Sequence, residues 1–307
     1  MKLSSGPLQG FTDDVFRFVH SQVYGGIDTY YGPYIRLESH KSPKSSQVRD
    51  ITSALNKSIH FIPQILSNDP TSIIEQINKL QELGIEQINW NLGCPYPMVT
   101  KRGMGSGLLN QAEVVKNILS QIFSETEVKL SIKCRLGMES EQDILTLIEV
   151  FNQFNLNEII VHARTAKQMY KGNAQPEKII PLIEESKHPI AYNGDICSVE
   201  DFNVLNALFN GKIDHFMIGR GLISNPGLGM EIKGLEIDSN SFIKFHDSLI
   251  EKYLKRYQEH QLLKKMQGFW EYFGIQFPEK KKVLKRIKKS RKWSQYIEFT
   301  NQLFNQA

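Results

Sequence analysis

The run Ile85-Glu86-Gln87-Ile88-Asn89-Trp90 leads directly into Asn91-Leu92-Gly93-Cys94-Pro95, where an apolar segment gives way to a loop with glycine and proline. A short apolar run of this kind predicts a buried strand, and a helical pattern begins near Gln111. Cys94 is therefore expected just beyond the carboxyl end of a strand, which is where parallel α/β folds place catalytic groups. From this loop alone, a small buried cysteine in a sharp turn is the more ordinary interpretation.

Apolar runs of the same kind recur along the chain, and helical patterns separate them. The eight strand candidates cover residues 2–8, 27–31, 60–66, 85–91, 128–133, 158–162, 189–193 and 213–218. Eight strands alternating with helices over about 230 residues predict an α/β fold of the (β/α)8 TIM barrel type. Several polar residues and a glycine stand at or just after the strand ends, so they would converge on one mouth of the barrel: Gln64, Asn91, Lys133, His162, Asn193 and Gly219.

The pattern changes after Gly229, because the apolar spacing from Ser241 onward is helical. We therefore predict two domains, a catalytic TIM barrel over residues 1–235 and a small C-terminal helical domain over residues 236–307. The charge divides in the same way. The whole chain has a net charge of +4, whereas residues 244–292 hold 15 Lys and Arg against 5 Asp and Glu, a net of +10. A basic tail on a mildly acidic body suggests a polyanionic partner, although a solvated basic helix has the same composition.

The composition argues against several classes of protein. The sequence has no run of 18 apolar residues, so no membrane span is expected, and the first residues carry no secretory signal pattern. The three cysteines lie far apart at 94, 134 and 197 and form neither a disulfide framework nor a zinc motif. We therefore expect no metal site and a reducing, cytoplasmic setting. The sequence leaves the oligomeric state open, with a monomer as the default expectation.

Several residues at the predicted mouth could bind a polar or charged ligand. Lys133 would present an ammonium group there, unless it only snorkels at the surface. Gln64 would offer a donor and an acceptor to a heterocycle, or else serve as a core amide. His162 opens a polar loop, although a single histidine is more often structural. The loops Asn193-Gly194-Asp195 and Gly219-Arg220 follow the seventh and eighth strands, where barrels commonly bind phosphate, and the first of them is also compatible with a plain turn.

Taken in order, these motifs resemble those of the tRNA-dihydrouridine synthases, a family of FMN-dependent enzymes that reduce uridine in tRNA. The resemblance covers the barrel from about Lys2 to Gly229, and the tail matches in size and charge more than in motif. The loop from Asn91 to Leu109 is its most specific part. The other matching segments are Pro7-Leu8-Gln9-Gly10-Phe11-Thr12-Asp13, Gln64, Ile132-Lys133-Cys134-Arg135-Leu136-Gly137, His162-Ala163-Arg164-Thr165, Asn193-Gly194-Asp195 and Ile218-Gly219-Arg220-Gly221.

The resemblance implies an FMN site and a role for each residue in it. A cation near N1 and O2 of the flavin would stabilise the negative charge of the reduced ring, and Lys133 would supply it. The residues that the resemblance places at the flavin ring are Pro7, Leu8, Gln9, Gln64, Lys133 and His162. Those that it places at the ribityl phosphate arm are Asn193, Gly194, Asp195, Gly219 and Arg220.

The resemblance also implies the reaction. Hydride would pass from reduced FMN to C6 of a D-loop uridine, and Cys94 would donate the proton to C5, since a free thiol is mostly protonated near pH 7. NADPH would be the reductant, with NADH as the alternative. A basic helix would bind the phosphates, with residues 281, 285, 288, 289 and 292 on one side. The residues expected to contact tRNA are Asn91, Lys101, Arg102, Arg164, Lys285, Arg286, Lys288 and Lys289.

Two other functions stay open from the sequence. The first is an FMN-dependent TIM-barrel reductase of a small molecule, of the dihydroorotate dehydrogenase or ene-reductase type, which would leave the basic tail without a purpose. The second is a non-catalytic RNA-binding protein, which would have no need of Cys94, Lys133 and His162. One departure concerns the Cys94 loop, where Pro97 stands in place of the lysine usual in the family.

Overall fold

A ring of parallel strands forms the body of the protein in a computed structural model, which describes residues 1–38 and 42–305. All strand pairs are parallel, and the order in the sheet is β3-β5-β6-β7-β8-β9-β10-β1-β2-β4. The strands within the described residues are β1 (Lys2–Ser5), β2 (Thr29–Tyr31), β3 (Ile35–Arg36), β4 (Phe61–Ile62), β5 (Gln64–Leu66), β6 (Gln87–Leu92), β7 (Lys129–Arg135), β8 (Glu158–His162), β9 (Ile190–Asn193) and β10 (His215–Ile218).

Pro63 lies where the sheet closes on itself. It separates β4 from β5, and because proline has no N–H the hydrogen-bond ladder is interrupted there. β4 pairs with β2 at one end of the sheet, and β5 pairs with β6 next to the other end. β3 continues the course of β2 and pairs with β5. The two ends of the sheet therefore meet, and the strands occupy eight positions in a (β/α)8 TIM barrel.

Helices pack on this ring and continue beyond it into the tail. None of those in the described part of the chain is long and apolar enough to span a bilayer. The helices there are α1 (Asp14–Val23), α2 (Ser45–Thr52), α3 (Pro70–Glu82), α4 (Pro97–Thr100), α5 (Ala112–Glu125), α6 (Gln142–Phe151), α7 (Ile180–Glu185), α8 (Val199–Phe209), α9 (Arg220–Ser224), α10 (Leu228–Ile232), α11 (Ser241–Leu254), α12 (Glu259–Phe273), α13 (Lys281–Lys289) and α14 (Trp293–Phe304).

Two apolar layers stabilise the barrel. Successive side chains of a strand point to opposite faces, so alternate residues face the helices and the barrel interior. Ile159 and Val161 belong to the large buried cluster between strands and helices. Ile160, which lies between them in sequence, belongs to a small interior cluster with Ala191 and Met217. Packing on both faces explains why the strands read as continuous apolar runs.

The tail packs against α1 through aromatic rings. Phe16 of α1 lies 5.7 Å from Phe245 of α11 and 5.9 Å from Phe269 of α12, measured between ring centroids. The guanidinium of Arg256 donates two hydrogen bonds of 2.5 Å to the carboxylate of Asp14. The tail and the first barrel helix therefore share one buried core.

All eight predicted strands are present, with ends that differ by a few residues. In its described residues the tail holds helices and no strand, as predicted, and the break between α12 and α13 falls near the predicted Gly274 and Pro278. The prediction that Lys292 shares the basic helix is wrong, because α13 ends at Lys289 and Lys292 precedes α14. The domain boundary at residue 235 falls between α10 and α11 and stays a prediction.

Candidate active site

Two adjoining cavities open at the carboxyl ends of the strands. The inner cavity has an empty volume of about 550 Å³, and the outer one has about 1110 Å³ counted to its open mouth. Six residues line both cavities, namely Pro7, Leu8, Lys133, His162, Tyr170 and Arg220. The loops after β9 and β10 complete the inner cavity, and the loop that carries Cys94 contributes to the outer one.

The Cys94 loop is held in shape from both sides. Oδ1 of Asn91, near the end of β6, accepts hydrogen bonds of 2.9 Å from the amides of Gly93 and Cys94. Gly105 has a φ of +56°, and a Cβ at this position would lie 2.9 Å from the carbonyl oxygen of Cys94, so only glycine fits there. Sγ of Cys94 lies 3.9 Å from the hydroxyl of Tyr34. The thiol therefore has a fixed position at the cavity wall.

Lys133 brings a positive charge into both cavities. Its Nζ donates a hydrogen bond of 2.8 Å to Oδ1 of Asn193, whose Nδ2 donates to the carbonyl oxygen of Met217 at 2.8 Å. Burial, and to a smaller extent the charge of Arg135, lowers the pKa of Lys133 from 10.5 to about 8. The cavity therefore holds an ammonium that is charged at pH 7 and readily loses its proton.

His162 is neutral at the floor of the cavities. Burial and the surrounding cationic side chains lower its pKa well below 6.5. The guanidinium of Arg164 lies 3.1 Å from Nε2 of His162. Because a guanidinium only donates, Nε2 accepts and the ring proton stands on Nδ1.

Arg164 is buried, with 2% of its surface exposed. Its guanidinium also donates to the carbonyl oxygen of Gly172 at 2.7 Å and to the carboxylate of Asp195 at 2.5 Å. These contacts bind the guanidinium inside the protein, and the expected contact of Arg164 with tRNA stays a prediction. The same contacts hold His162 and Asp195 in place.

Asp195 and Arg220 form the far wall of the inner cavity. Oδ1 of Asp195 accepts from Arg220 at 3.2 Å, and Oδ2 accepts from the amide of Ala174 at 2.9 Å. Burial alone would raise the pKa of Asp195, but the hydrogen bonds from Arg164 and Ala174 lower it. Gly219 lines this cavity, and a Cβ added there would meet open space. The wall therefore offers a ligand both the guanidinium of Arg220 and the unobstructed backbone at Gly219.

Gln64 lies beneath the cavities in a chain of buried amides. Its Oε1 accepts from Nδ2 of Asn91 at 2.6 Å, and its Nε2 donates to Oδ1 of Asn89 at 2.7 Å. Asn89 in turn donates to Ser131 at 2.9 Å. Gln64 is not among the lining residues of either cavity. Its expected contact with a flavin edge stays a prediction, and the core-amide interpretation describes its present contacts.

Lys101 and Arg102 are exposed within the Cys94 loop, outside the lining of both cavities. Arg102 pairs with Glu38 at 2.8 Å. Pro97 is the first residue of the one-turn helix α4, a position where the missing N–H of proline costs no hydrogen bond. This explains why the fold accepts proline where the family usually has lysine.

The four basic residues predicted on the tail are exposed on α13. Lys288 pairs with Glu271 at 2.9 Å. The guanidinium of Arg286 lies 3.9 Å from the ring centroid of Phe299. Lys285 and Lys289 form no ion pair with any described residue. The surface formed by Lys285, Arg286, Lys288 and Lys289, here called the basic face, thus holds two unpaired charges.

Among the residues that line the outer cavity, the sequence assigned no role to several, including Arg135, Tyr170 and Tyr272. Nε of Arg135 donates to the carbonyl oxygen of Gly93 at 2.9 Å, and its guanidinium lies 5.2 Å from the ring centroid of Tyr170. The spacing of two residues from Lys133 could have revealed Arg135, because it places both side chains on one face of β7. No local pattern marks Tyr272. In residues 1–38 and 42–305 no cluster of His, Cys, Asp and Glu could hold a metal ion.

Solved structures with a similar fold include a dehydrogenase and a reductase, although their identity to this chain is low. Histamine dehydrogenase from Rhizobium sp. 4-9 has a TM-score of 0.59 at 9% identity, over 76% of this chain and 45% of that one. Morphinone reductase has a TM-score of 0.52 at 10% identity, over 80% and 88% of the two chains. At these identities the likeness concerns the fold alone.

Sequence comparison is more specific. The chain is 30% identical over 248 residues to the tRNA-dihydrouridine(16) synthase of Pseudomonas syringae pv. tomato, covering 77% of each chain. It is 28% identical over 276 residues to the tRNA-dihydrouridine synthase B of Pasteurella multocida, covering 88% of this chain and 78% of the relative. The sequence profile described as Dihydrouridine synthase matches residues 3–306. Since that match spans nearly the whole chain, the protein belongs to the dihydrouridine synthase family.

Proposed function

We propose that this protein reduces a uridine of tRNA to 5,6-dihydrouridine, with Cys94 as the proton donor. The observation that carries the proposal is that Cys94 and Lys133 line the same outer cavity at the carboxyl ends of the strands. A thiol can donate a proton, and an ammonium can stabilise negative charge on a bound ring. The relatives named as tRNA-dihydrouridine synthases support the same reaction.

The lining of the inner cavity fits FMN. Pro7 and Leu8 offer apolar surface to a flat ring, with Gln9 close by in the outer cavity, and Lys133 places its ammonium between the two cavities. Arg220 and the open backbone at Gly219 suit a phosphate. We infer that the phosphate arm is held there, together with Asn193, Gly194 and Asp195. FMN, when bound, supplies the hydride for C6 of the base.

Cys94 holds the proton for C5. The residue lines the outer cavity and is only 7% exposed, so bulk water has little access to its thiol. Asn91 accepts hydrogen bonds from the backbone amides of Gly93 and Cys94, which restricts where Sγ can lie. The neighbouring hydroxyl of Tyr34 remains protonated, because burial and the nearby thiol raise its pKa. We infer that Asn91 acts on the substrate through this loop, in addition to any direct contact.

Binding of tRNA would fall to both parts of the chain. The unpaired charges of the basic face fit a phosphate backbone, and Lys101 and Arg102 are exposed in the Cys94 loop, other residues of which line the outer cavity. We infer that residues 1–235 form the catalytic barrel, that residues 236–307 bind tRNA, and that NADPH reduces the cofactor. The basic face favours this reading over a small-molecule reductase, which would not need it.

The test is to map dihydrouridine in tRNA from cells with and without the gene, and to measure bound FMN in the purified protein. We expect a yellow protein and the loss of dihydrouridine at one or more tRNA positions when the gene is deleted. A colourless protein that leaves every dihydrouridine in place on deletion would contradict the proposal. The mapping also identifies which uridine is reduced.

A further inference from the structure

The outer cavity receives one side chain from the tail. Tyr272 lies on α12 and lines the cavity together with Cys94, Tyr96 and Tyr170. Burial raises the pKa of Tyr96, and the nearby Tyr170, Cys94 and Tyr272 groups raise it further, so the phenol groups lie within electrostatic range of one another. The mouth of the cavity is therefore aromatic, with one ring contributed by the tail.

The position of Tyr272 follows from the face of α12 that meets the barrel. Lys265, Phe269 and Tyr272 stand at spacings of four and three residues, so they lie on one side of the helix. Nζ of Lys265 donates to the carbonyl oxygen of Gly10 at 2.9 Å. The ring of Phe269 lies 5.5 Å from that of Phe11, edge to face. This side of α12 is therefore docked on the loop that follows β1.

Tyr272 extends the same contact to the edge of the cavity. Its ring lies 5.1 Å from that of Phe11, also edge to face. Two turns earlier on α12, Lys265 pairs with Asp13 at 2.7 Å. The hydroxyl of Tyr253 on α11 donates to the same carboxylate at 2.6 Å. These contacts fix the ring of Tyr272 beside the mouth, so that a base entering the cavity does not have to order it first.

On this basis we propose that Tyr272 is a substrate-binding residue, and that its ring stacks on the uridine nucleotide as it leaves the tRNA and enters the outer cavity. The inference rests on the proposed function and adds a role for the tail beyond phosphate binding. Removing a base from its stack costs a few kcal/mol, and a waiting aromatic surface offsets part of that loss. The productive cavity then exists only when tail and barrel are docked.

Three variants of Tyr272 test the proposal in the full-length holoenzyme. Tyr272→Phe keeps the ring, Tyr272→Leu keeps apolar contact with Phe11 but has no aromatic face, and Tyr272→Ala removes both. With limiting tRNA we expect the Leu and Ala variants to slow tRNA-dependent flavin reoxidation by roughly tenfold or more, and the Phe variant to stay within about threefold of wild type. Flavin reduction by NADPH should not change in any of them.

Leu83→Ala is the control, because Leu83 is an exposed apolar residue between α3 and β6, at the end of the barrel opposite the cavities. Its rate should equal that of wild type. If the Leu and Ala variants turn over tRNA within about twofold of an active wild type, the role of Tyr272 is refuted while the proposed function stands. A wild type that forms no dihydrouridine refutes the proposed function itself.

A binding measurement is independent of turnover. Ultraviolet irradiation of the holoenzyme with a tRNA transcript containing 5-bromouridine should link the RNA to the α12 peptide that contains Tyr272. The link should be lost in Tyr272→Leu and retained in Leu83→Ala. Cross-linking that is confined to barrel peptides would overturn the proposal, even if a variant of Tyr272 proved less stable than wild type.

Discussion

Lys133 on β7 reaches across β8 to Asn193 on β9, where Nζ and Oδ1 are 2.8 Å apart. Neighbouring strands lie about 4.8 Å apart, so the two side chains together bridge two strand spacings at the carboxyl ends of the strands. Asn193 is itself anchored to the carbonyl oxygen of Met217 on β10. The ammonium is thus held in the cavity by uncharged groups, and its protonation depends on the cavity environment.

Cofactor affinity should therefore depend on pH through Lys133. Because burial lowers the pKa of Lys133 to about 8, the side chain of the free protein is charged below that pH and neutral above it. A ligand that favours the ammonium raises this pKa on binding. FMN affinity should then fall by up to about tenfold per pH unit as the pH rises above about 8. Titration of the apoprotein with FMN across this range measures the effect.

Lys133→Met should bind FMN more weakly near pH 7 and lose the fall above pH 8. Lys167→Met, at an exposed lysine paired with Glu139 on the surface, is the control and should behave as wild type. Persistence of the FMN pH dependence in Lys133→Met would assign that dependence to another group.

The lowered pKa of Lys133 also has a consequence for folding. Between about pH 8 and 10.5 the unfolded chain holds a proton that the folded chain lacks, so Lys133 should make the free energy of unfolding rise with pH in that range.

Replacing Cys94 should separate the two half-reactions. Cys94→Ala should keep FMN and tRNA binding and should still be reduced by NADPH, because the thiol is not needed until C5 is protonated. Reoxidation of the flavin by tRNA should slow by about 10²–10⁴-fold, the usual contribution of a positioned acid. Stopped-flow absorbance of the flavin follows both steps. An Ala variant that turns over tRNA like wild type would show that another group donates the proton.

The contribution of Arg220 to FMN binding can be measured directly. A charge-assisted contact with phosphate is typically worth about 1.5–3 kcal/mol, so Arg220→Ala should weaken FMN binding by roughly tenfold or more. Asp195 keeps its contacts with Arg164 and Ala174 in that variant, so the wall should stay folded. Arg49→Ala, at an exposed arginine on α2, is the control. Equal FMN affinity in the Arg220 and Arg49 variants would place the phosphate elsewhere.

The barrel could be predicted because each strand is buried on both faces and so reads as a short apolar run. The residues at the mouth of the barrel could be predicted too, because polar residues at the carboxyl ends of parallel strands all lie at the same end of the barrel. What the sequence could not give was the pairing of atoms. The sequence places Arg164 among the residues expected to contact tRNA, but it does not show that the guanidinium binds Gly172 and Asp195, which come from two different loops. Tyr272 was invisible because its contact with Phe11 joins residues far apart in the chain.

The basic face should determine how tRNA binding depends on salt. Lys285 and Lys289 have no anionic partner in the described chain, so their charges gain most from a phosphate, whereas Lys288 must first leave Glu271. Each phosphate contact contributes about 0.7–0.9 to the slope of log K against log salt concentration, because binding releases counterions. Changing Lys285, Lys288 and Lys289 to Ala together should flatten that slope by up to about 2–3 and leave the flavin spectrum and NADPH oxidation intact.

A matched triple variant distinguishes a local contact from a general loss of charge. Lys57, Lys187 and Lys212 are exposed and precede β4, β9 and β10, so they lie at the end of the barrel opposite the cavities. Changing these three to Ala removes the same charge but should leave the slope close to that of wild type. Binding isotherms from roughly 50 to 200 mM salt measure both variants. If the two triple variants show the same slope and affinity, the basic face is only solvated surface, because equal effects at two separate surfaces would reflect net charge alone.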